Sequence, residues 1–434
     1  MFKNKDELKT SLGKYVLKQK FEYRITRSSK TRFLASCKDK CCTFKLRAGL
    51  VQEGSYWTVA KFVKDHSCQL ELFSNCSWQV PAKVVSTVVA DKLLGKGRVI
   101  RPVDVIGEMK STYGMEILYN KAWKAREYAQ NLVYGHPLDS FQMLPSYFYM
   151  LEQQNPRTVT KLKVDDDNRF EICFMALDAC ISGFRECCRP AIAIDGTHLK
   201  GKYKGILFIA TAMDGNDQIF PIAFGVGHLE NDRCWTWFLT ELRNVIGCPR
   251  DMIIISDRHI SIKNAVASVF PEAAHGLCAF HMKNNVSSTY RNPDVTTLFV
   301  KASRVYRTDE FKELMDELKI VKSKAYEKLI DDDVRKWSRA YCPVRRYDLM
   351  TTNIAESINS ALRHARKLPI TPLMEFIRAM VQKWFHIRRI SAERTVTPLT
   401  GRVSSILQKN LVNFKFYTVE SVDMFTMLRV GQKI

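Results

Sequence analysis

What is scarce in this sequence narrows its function first. None of its 434 residues fall in an apolar run approaching the length of a spanning helix, the mean hydropathy is −0.20, and the opening MFKNKDELKTSLG lacks the apolar core of a signal peptide. A soluble, intracellular protein is expected. Acidic residues are also short: 45 Asp and Glu face 67 Lys and Arg, so the formal charge is +22 and the field attracts polyanions or an anionic membrane surface. The 13 cysteines are odd in number and scattered, which argues against a secreted disulfide framework and for reduced thiols or metal ligands. No long Lys/Arg block marks a nuclear import signal. Hydrophobic residues at 46% and aromatics at 11% suffice for packed cores, and the length suggests two or three domains.

A helical pattern from about Lys5 to Lys18 precedes the alternating runs FEYRIT, TRFLASC, CTFKLRAGL and YWTVAKFV, which read as a small β-rich domain over 1–75. Cys37 and Cys42 form a C-x4-C pair on one hairpin, and His66 and Cys68 an H-x-C pair after a later strand. Three thiolates and an imidazole suit tetrahedral zinc, whose binding energy becomes folding energy in so small a module. Cys41 is a rival second ligand, but alternation through Cys42, Phe44 and Leu46 puts Cys42 on the apolar face. Against zinc stands the ordinary fate of intracellular cysteine, burial as a small hydrophobe. Arg24, Arg32, Lys45 and Arg47, among other cations here, suit phosphate contact, or equally a solvated strand face.

From 76 to 135 the pattern turns helical through VPAKVVSTVVADKLL, PVDVIGEMKSTYG and YNKAWKAREYAQNLVYG, with Lys92, Lys96, Arg98, Lys121, Lys124 and Arg126 giving a basic tilt. This is a compact helical linker or a DNA-contacting region. Next comes a domain over 136–365. Its strands are expected at 191–195, 205–213, 219–227, 252–256 and near 276–280, with helices at 234–246 and 261–270. Three strands, a helix, a strand, a helix and a strand give an α/β mixed sheet in the order of an RNase H-like core. A charged α-helical insertion lies at about 286–349 and a helical tail at 366–434. Trp337 and Tyr341, at i and i+4, read as insertion core rather than base-stacking wedges.

Asp195 ends one apolar strand run, Asp257 ends another, and Glu356 opens an amphipathic helix. Taken singly, an Asp after a strand is usually a turn former or helix cap. Together the three could hold two hard cations, Mg²⁺ or Mn²⁺, for phosphodiester chemistry. His198, Lys200, Lys202 and Lys204 follow the first Asp in a hairpin that could touch DNA phosphates; Asp214, Asp217 and Asp232 are set aside as turn residues.

The words IDGTHLKGKYKG, TAMDGNDQIFPIAFGVGHLEND, CWTWFLTELR, IISDRHISI, HGLCAFHMKNN and TTNIAESINSALRHARKLPI resemble plant Mutator-like (MULE/MuDR) transposases. The N-terminal Cys/His pattern resembles that superfamily's zinc-binding, WRKY-like DNA-recognition domain. The resemblance implies cut-and-paste transposition by a DDE mechanism with Asp195, Asp257 and Glu356 as the acids. Cys278 and His281 match a further Cys and His and stand as active-site neighbours, or as a buried thiol beside a polar helix start. It further implies double-stranded DNA as partner, both terminal inverted repeats and target; joining two ends would suit a homodimer, and a DNA substrate alone points to the nucleus as location. Related proteins commonly carry a C-terminal SWIM zinc finger; no cysteine follows Cys342, so a chain lacking it, as truncation leaves, is expected. The competing expectation is a domesticated, zinc-dependent DNA-binding transcriptional regulator without catalysis. Retention of all three acids favours the enzyme.

Overall fold

The computed structural model describes residues 1–51, 56–68, 80–94, 101–414, 417–421 and 428–432. Lys96 and Arg98 lie outside them, as does the side chain of Lys92. The chain divides into two compact units, Met1–Gln142 with Lys367–Pro372, and Met143–Arg366 with Leu373–Ile434.

In the first unit, helix α1 (Lys5–Gln19) starts at Asn4, whose side chain accepts the Glu7 N–H, and stops at Lys20 in the left-handed region. Four antiparallel strands follow in sequential order: β1 (Tyr23–Ser28), β2 (Arg32–Cys37), β3 (Lys45–Leu50) and β4 (Trp57–Val63). Phe44, Leu46 and Ala48 alternate inward against Leu8, Leu12 and Val16 of α1, which leaves Lys45 and Arg47 exposed on the other face. Next come α2 (Ala82–Leu94), α3 (Pro102–Tyr113) and α4 (Tyr119–Tyr134). Ala122, Ala125 and Ala129 give α4 a small-residue stripe that lets the valines of α2 pack close. The left-handed Gly114 ends α3. Helix α5 (Pro137–Gln154) runs across the unit boundary.

The second unit holds β5 (Val159–Val164), β6 (Phe170–Ala176), α6 (Asp178–Cys187), β7 (Ala191–His198), β8 (Ile206–Met213), β9 (Ile219–Gly227), α7 (Asp232–Ile246), β10 (Ile253–Ser256), α8 (Ile260–Val269) and β11 (Ala274–Leu277). Their seven-stranded mixed sheet has the order β11-β10-β7-β8-β9-β6-β5, with β10 parallel to both β7 and β11 and the other pairs antiparallel. Phe174, Phe208, Trp235 and Phe238 pack between sheet and α7. A Cβ at Gly225 of β9 would meet the Phe238 ring at 2.8 Å and the Cys173 carbonyl at 2.9 Å, so glycine here is what lets α7 approach.

Two expectations shift. The last strand ends at Leu277, because its parallel partner β10 ends at the paired Ser256, and Cys278 caps a helix instead of lying within a strand. The β5–β6 hairpin extends the sheet beyond the strands expected, since the continuous apolar run EICFMA carries no period of two.

Helices α9 (Ala279–Tyr290), α10 (Pro293–Arg304), α11 (Thr308–Val321), α12 (Ser323–Asp331) and α13 (Val334–Trp337) form their own core around Trp337, which is fully buried and donates its indole N–H to Leu329 O at 3.0 Å. Trp337→Ala is expected to destabilise this helical segment by about 3–5 kcal/mol, read as a lower urea midpoint. The chain then forms α14 (Asn353–Ala361), α15 (Ile370–Glu393) and α16 (Gly401–Phe414). The tail is not helical throughout: β12 (Tyr417–Ser421) pairs antiparallel with β13 (Leu428–Gln432).

Candidate functional site

The first cluster lies where the β2–β3 turn meets the segment after β4. Cys37 Sγ and Cys68 Sγ are 3.7 Å apart, Cys42 Sγ and His66 Nδ1 3.3 Å, and Cys68 Sγ and His66 Nδ1 3.7 Å. All four ligand atoms lie within 4.8 Å of one another. A tetrahedron with zinc–sulfur bonds of about 2.3 Å has edges of about 3.7 Å, whereas a disulfide needs about 2.05 Å. The spacing fits four donors around one ion, and the donor set suggests zinc.

Cys42 precedes β3 instead of lying in it, yet it is buried and the rival Cys41 is exposed. Phe44 stacks on the His66 imidazole at 4.7 Å and Phe21 meets it edge-on at 4.2 Å, which fixes the ring with Nδ1 toward the thiols and leaves Nε2 buried without a partner. The Thr43 hydroxyl donates to Asp65 O at 2.7 Å and its N–H to Ser67 Oγ at 3.1 Å, tying the two ligand loops together. Burial raises the Cys42 thiol, but N–H groups of Phe44 and Ser67 and the Cys68 side chain outweigh it and draw it down to about 6. Cys68, half-buried against its sulfur neighbours, is driven up to about 12 by desolvation and by Cys42 and Cys37. Crowded thiols that cannot all ionise unaided are the arrangement a cation relieves.

The second cluster forms on the sheet. β7 and β10 pair in parallel with Ala191 opposite Ile253 and Ala193 opposite Ile255; continuing that register places Asp257 level with Asp195. Helix α14 packs over β7 and β8, and its Asn359 donates a side-chain N–H to Asp195 Oδ2 at 2.5 Å. Glu356 stands three residues earlier, on the same helix face. Burial first, and then the charges of Asp257 and Glu356, push the Asp195 carboxyl up to about 7, with His281 acting the other way. The three carboxylates thus share one electrostatic environment. Among the described residues, the Cys/His quartet alone is gathered tightly enough to enclose an ion as it stands.

Cys278 and His281 border these acids. The Thr352 N–H and hydroxyl reach Cys278 Sγ at 3.3 and 3.4 Å, and the Thr352 hydroxyl also lies 3.4 Å from Glu356 Oε1. His281 Nε2 is 3.8 Å from Glu356 Oε1, and the neighbouring Cys278 thiol raises its imidazole to about 9, so it is a cation at neutral pH. Sequence reasoning missed Thr352, Asn359 and Arg366. The Arg366 guanidinium is buried, bonded to the Thr197 hydroxyl and to His198 O, and its own carbonyl accepts the Lys200 N–H at 2.8 Å. An Arg in ALRHARK carries no spacing signal of such a role. His198, Lys200, Lys202 and Lys204 are exposed on that β7–β8 hairpin; Arg32, Lys45 and Arg47 are exposed on the first sheet, where Arg24 is half-buried and its Nε donates to Ser36.

Behind Asp257, burial pulls the His275 imidazole down to about 4, where it meets the Ser256 hydroxyl at 2.9 Å. The folded state therefore resists a proton that the unfolded chain takes up near pH 6.5. The stability this neutral imidazole contributes is complete above about pH 6.5 and is lost as pH falls toward 4. Urea midpoints are expected to fall between pH 7 and 5, with a shallower fall in His275→Gln.

The chain thus carries a Cys/His module followed in sequence by a mixed sheet with two acids at adjacent strand ends. The MULE transposase domain model matches residues 191–285, and the MuDR family transposase model matches residues 1–56. The chain is 22% identical to Protein FAR1-RELATED SEQUENCE 5 of Arabidopsis thaliana over 71% of its own length and 41% of that protein's, and 20% identical to Protein FAR1-RELATED SEQUENCE 4 of the same plant over 39% and 24%. It thus spans about two fifths or less of the curated relatives it matches. Both matched models are of Mutator-type transposases, and together they cover about a third of the chain. The transposase match takes in Asp195, Asp257, Cys278 and His281 and stops short of Glu356. These domains imply DNA binding, and no helix among the described residues is long and apolar enough to cross a membrane.

Proposed function

We propose that this chain is a DNA transposase with an RNase H-like core, which binds element ends through its zinc module and cuts and joins DNA through Asp195, Asp257 and Glu356. The observation that carries the reading is the shared field of the three acids, in which Asp195 is held near 7 by burial and by the other two. Bound there, Mg²⁺ or Mn²⁺ supplies the Lewis acidity that phosphodiester hydrolysis and strand transfer need. The chain's own groups orient and screen. Asn359 fixes the rotamer of Asp195. The His281 cation stands beside Glu356 and limits the repulsion among the acids. Lys200, Lys202 and Lys204 lie where a phosphate backbone enters, and Arg366 anchors their hairpin. In the first unit the face carrying Lys45 and Arg47 points away from α1, and with Arg24 and Arg32 it suits a duplex; zinc on Cys37, Cys42, His66 and Cys68 would hold that face in shape. Terminal inverted repeats and target DNA are then the partners, a homodimer would join two ends, and the nucleus is the place of work.

A second reading, zinc-dependent DNA binding for regulation without cleavage, is favoured by the tight closure of the Cys/His quartet relative to the acids. Metal-dependent nicking of DNA carrying element ends separates the two. Activity lost in Asp257→Asn and Glu356→Gln supports the transposase; an intact chain that binds but never nicks supports the regulator.

A further inference from the structure

A cavity of about 720 Å³ lies in the second unit, lined by Arg189, Asp251, Tyr306, Arg339 and the segment 342–348. Arg189 and Asp251 each precede by two residues the paired first residues of β7 and β10, so the cavity opens at the end of the sheet where these strands begin. Asp195 is six residues farther along β7, roughly 20 Å at about 3.3 Å per residue, and Asp257 lies at that same far end. None of the three acids lines the cavity.

Its charge is uneven. Arg189 pairs with Asp217, which is shared with Arg402, and Arg339 pairs with Asp348. Arg346 is 2% exposed, and its Nη atoms donate only to the carbonyls of Lys336 and Leu277, at 3.0 and 3.1 Å. Its Nε is buried with no partner, and among the described residues no carboxylate neutralises it. Beside it Arg345 is exposed and has no acidic partner among those residues. An uncompensated buried guanidinium with a free one next to it calls for an oxyanion. Tyr306 supplies a flat surface: the Arg339 guanidinium lies 3.8 Å from its ring centroid, while the tyrosine stays 69% exposed. Asp251, Tyr347 and Asp348, all lining the cavity, have left-handed backbones, a conformation that costs energy at Tyr347 in particular and is kept where the surroundings enforce it.

We propose that this cavity binds one nucleotide of a single-stranded DNA segment, with its phosphate on Arg345 and Arg346 and its base on the exposed face of Tyr306. Guanidinium–phosphate pairing beside an aromatic platform is the chemistry that holds an unpaired strand. The site is separate from the acids, so the reading is independent of whether they cleave.

The test uses the full chain in EDTA-free buffer with Ca²⁺, an Asp257→Asn background to prevent cleavage, and a fluorescein-labelled dT12 oligonucleotide. Arg345→Ala and Tyr306→Leu, both at exposed positions, are each expected to weaken binding roughly tenfold without moving the melting temperature. An abasic oligonucleotide of the same length should bind more weakly to the parent and equally to parent and Tyr306→Leu. A dT12 carrying 5-iodouracil should photocrosslink to the peptide containing Tyr306. Unchanged dT12 binding in both variants, or crosslinks confined to other peptides, overturns the proposal. If inorganic pyrophosphate competes at Arg345 while Tyr306→Leu has no effect on dT12, the cavity takes a bare oxyanion and the strand assignment is likewise overturned. Failure of these arms leaves the nicking test of the acids untouched.

Discussion

Chelating the metal from the full chain is expected to unfold the β1–β4 module, with loss of hydrogen-exchange protection in Arg32–Cys37 and Lys45–Leu50, while the amides of β7 to β9 keep theirs. The reason is size. The module's core is one helix stripe against four short strands, and a core that small contributes little net stability alone. Structural zinc in comparably small modules supplies an apparent 10–16 kcal/mol or so at neutral pH, more than such a core can replace. Cys42→Ser and His66→Ala should therefore lower bound zinc well below one per chain and give the same exchange pattern as chelation. Cys41→Ser should change neither, because Cys41 is exposed and its N–H is engaged by Asp39 in a turn. Protection that survives chelation, or zinc retained by Cys42→Ser and lost from Cys41→Ser, would sink the assignment.

The Cys/His grouping was legible because thiol spacing and strand alternation both act over a few residues: C-x4-C spans one turn, and buried Cys42, Phe44 and Leu46 follow the period of two. The three acids were legible as strand-end and helix residues for a similar reason. Their supporting groups were not. Asn359 reaches Asp195 across 164 residues of sequence and Thr352 reaches Cys278 across 74, and no local pattern encodes a contact closed by tertiary packing. The β5–β6 hairpin escaped because both faces of β6 are buried, which erases the alternation that marks a strand. Arg346 escaped for the opposite reason: in PVRRYD it reads as one more surface cation, and only the fold shows it 2% exposed.

The largest effect is expected at the acids. Asp257→Asn and Glu356→Gln should each lower metal-dependent nicking by roughly a thousandfold or more, at least the loss caused by removing one group that stabilises charge in a transition state. Both substitutions keep side-chain shape, and both positions are only partly buried, so folding should be preserved and DNA binding by the first unit retained. Asn359→Ala removes a group that only orients Asp195, and a roughly 10–100-fold loss is the scale for such a partner. The acids' mutual repulsion offers a readout that does not depend on turnover. Asp195 is raised to about 7 by burial and by its two acidic neighbours, so neutralising either neighbour must lower it. Isotope-edited infrared or carboxyl NMR titration of the metal-free chain should show the Asp195 midpoint falling in Asp257→Asn and in Glu356→Gln. A midpoint that stays in place in both variants would mean that the three carboxylates do not form one site, whatever the cleavage assay reports. Full nicking by Glu356→Gln beside a shifted midpoint would leave the cluster intact and remove Glu356 from the chemistry.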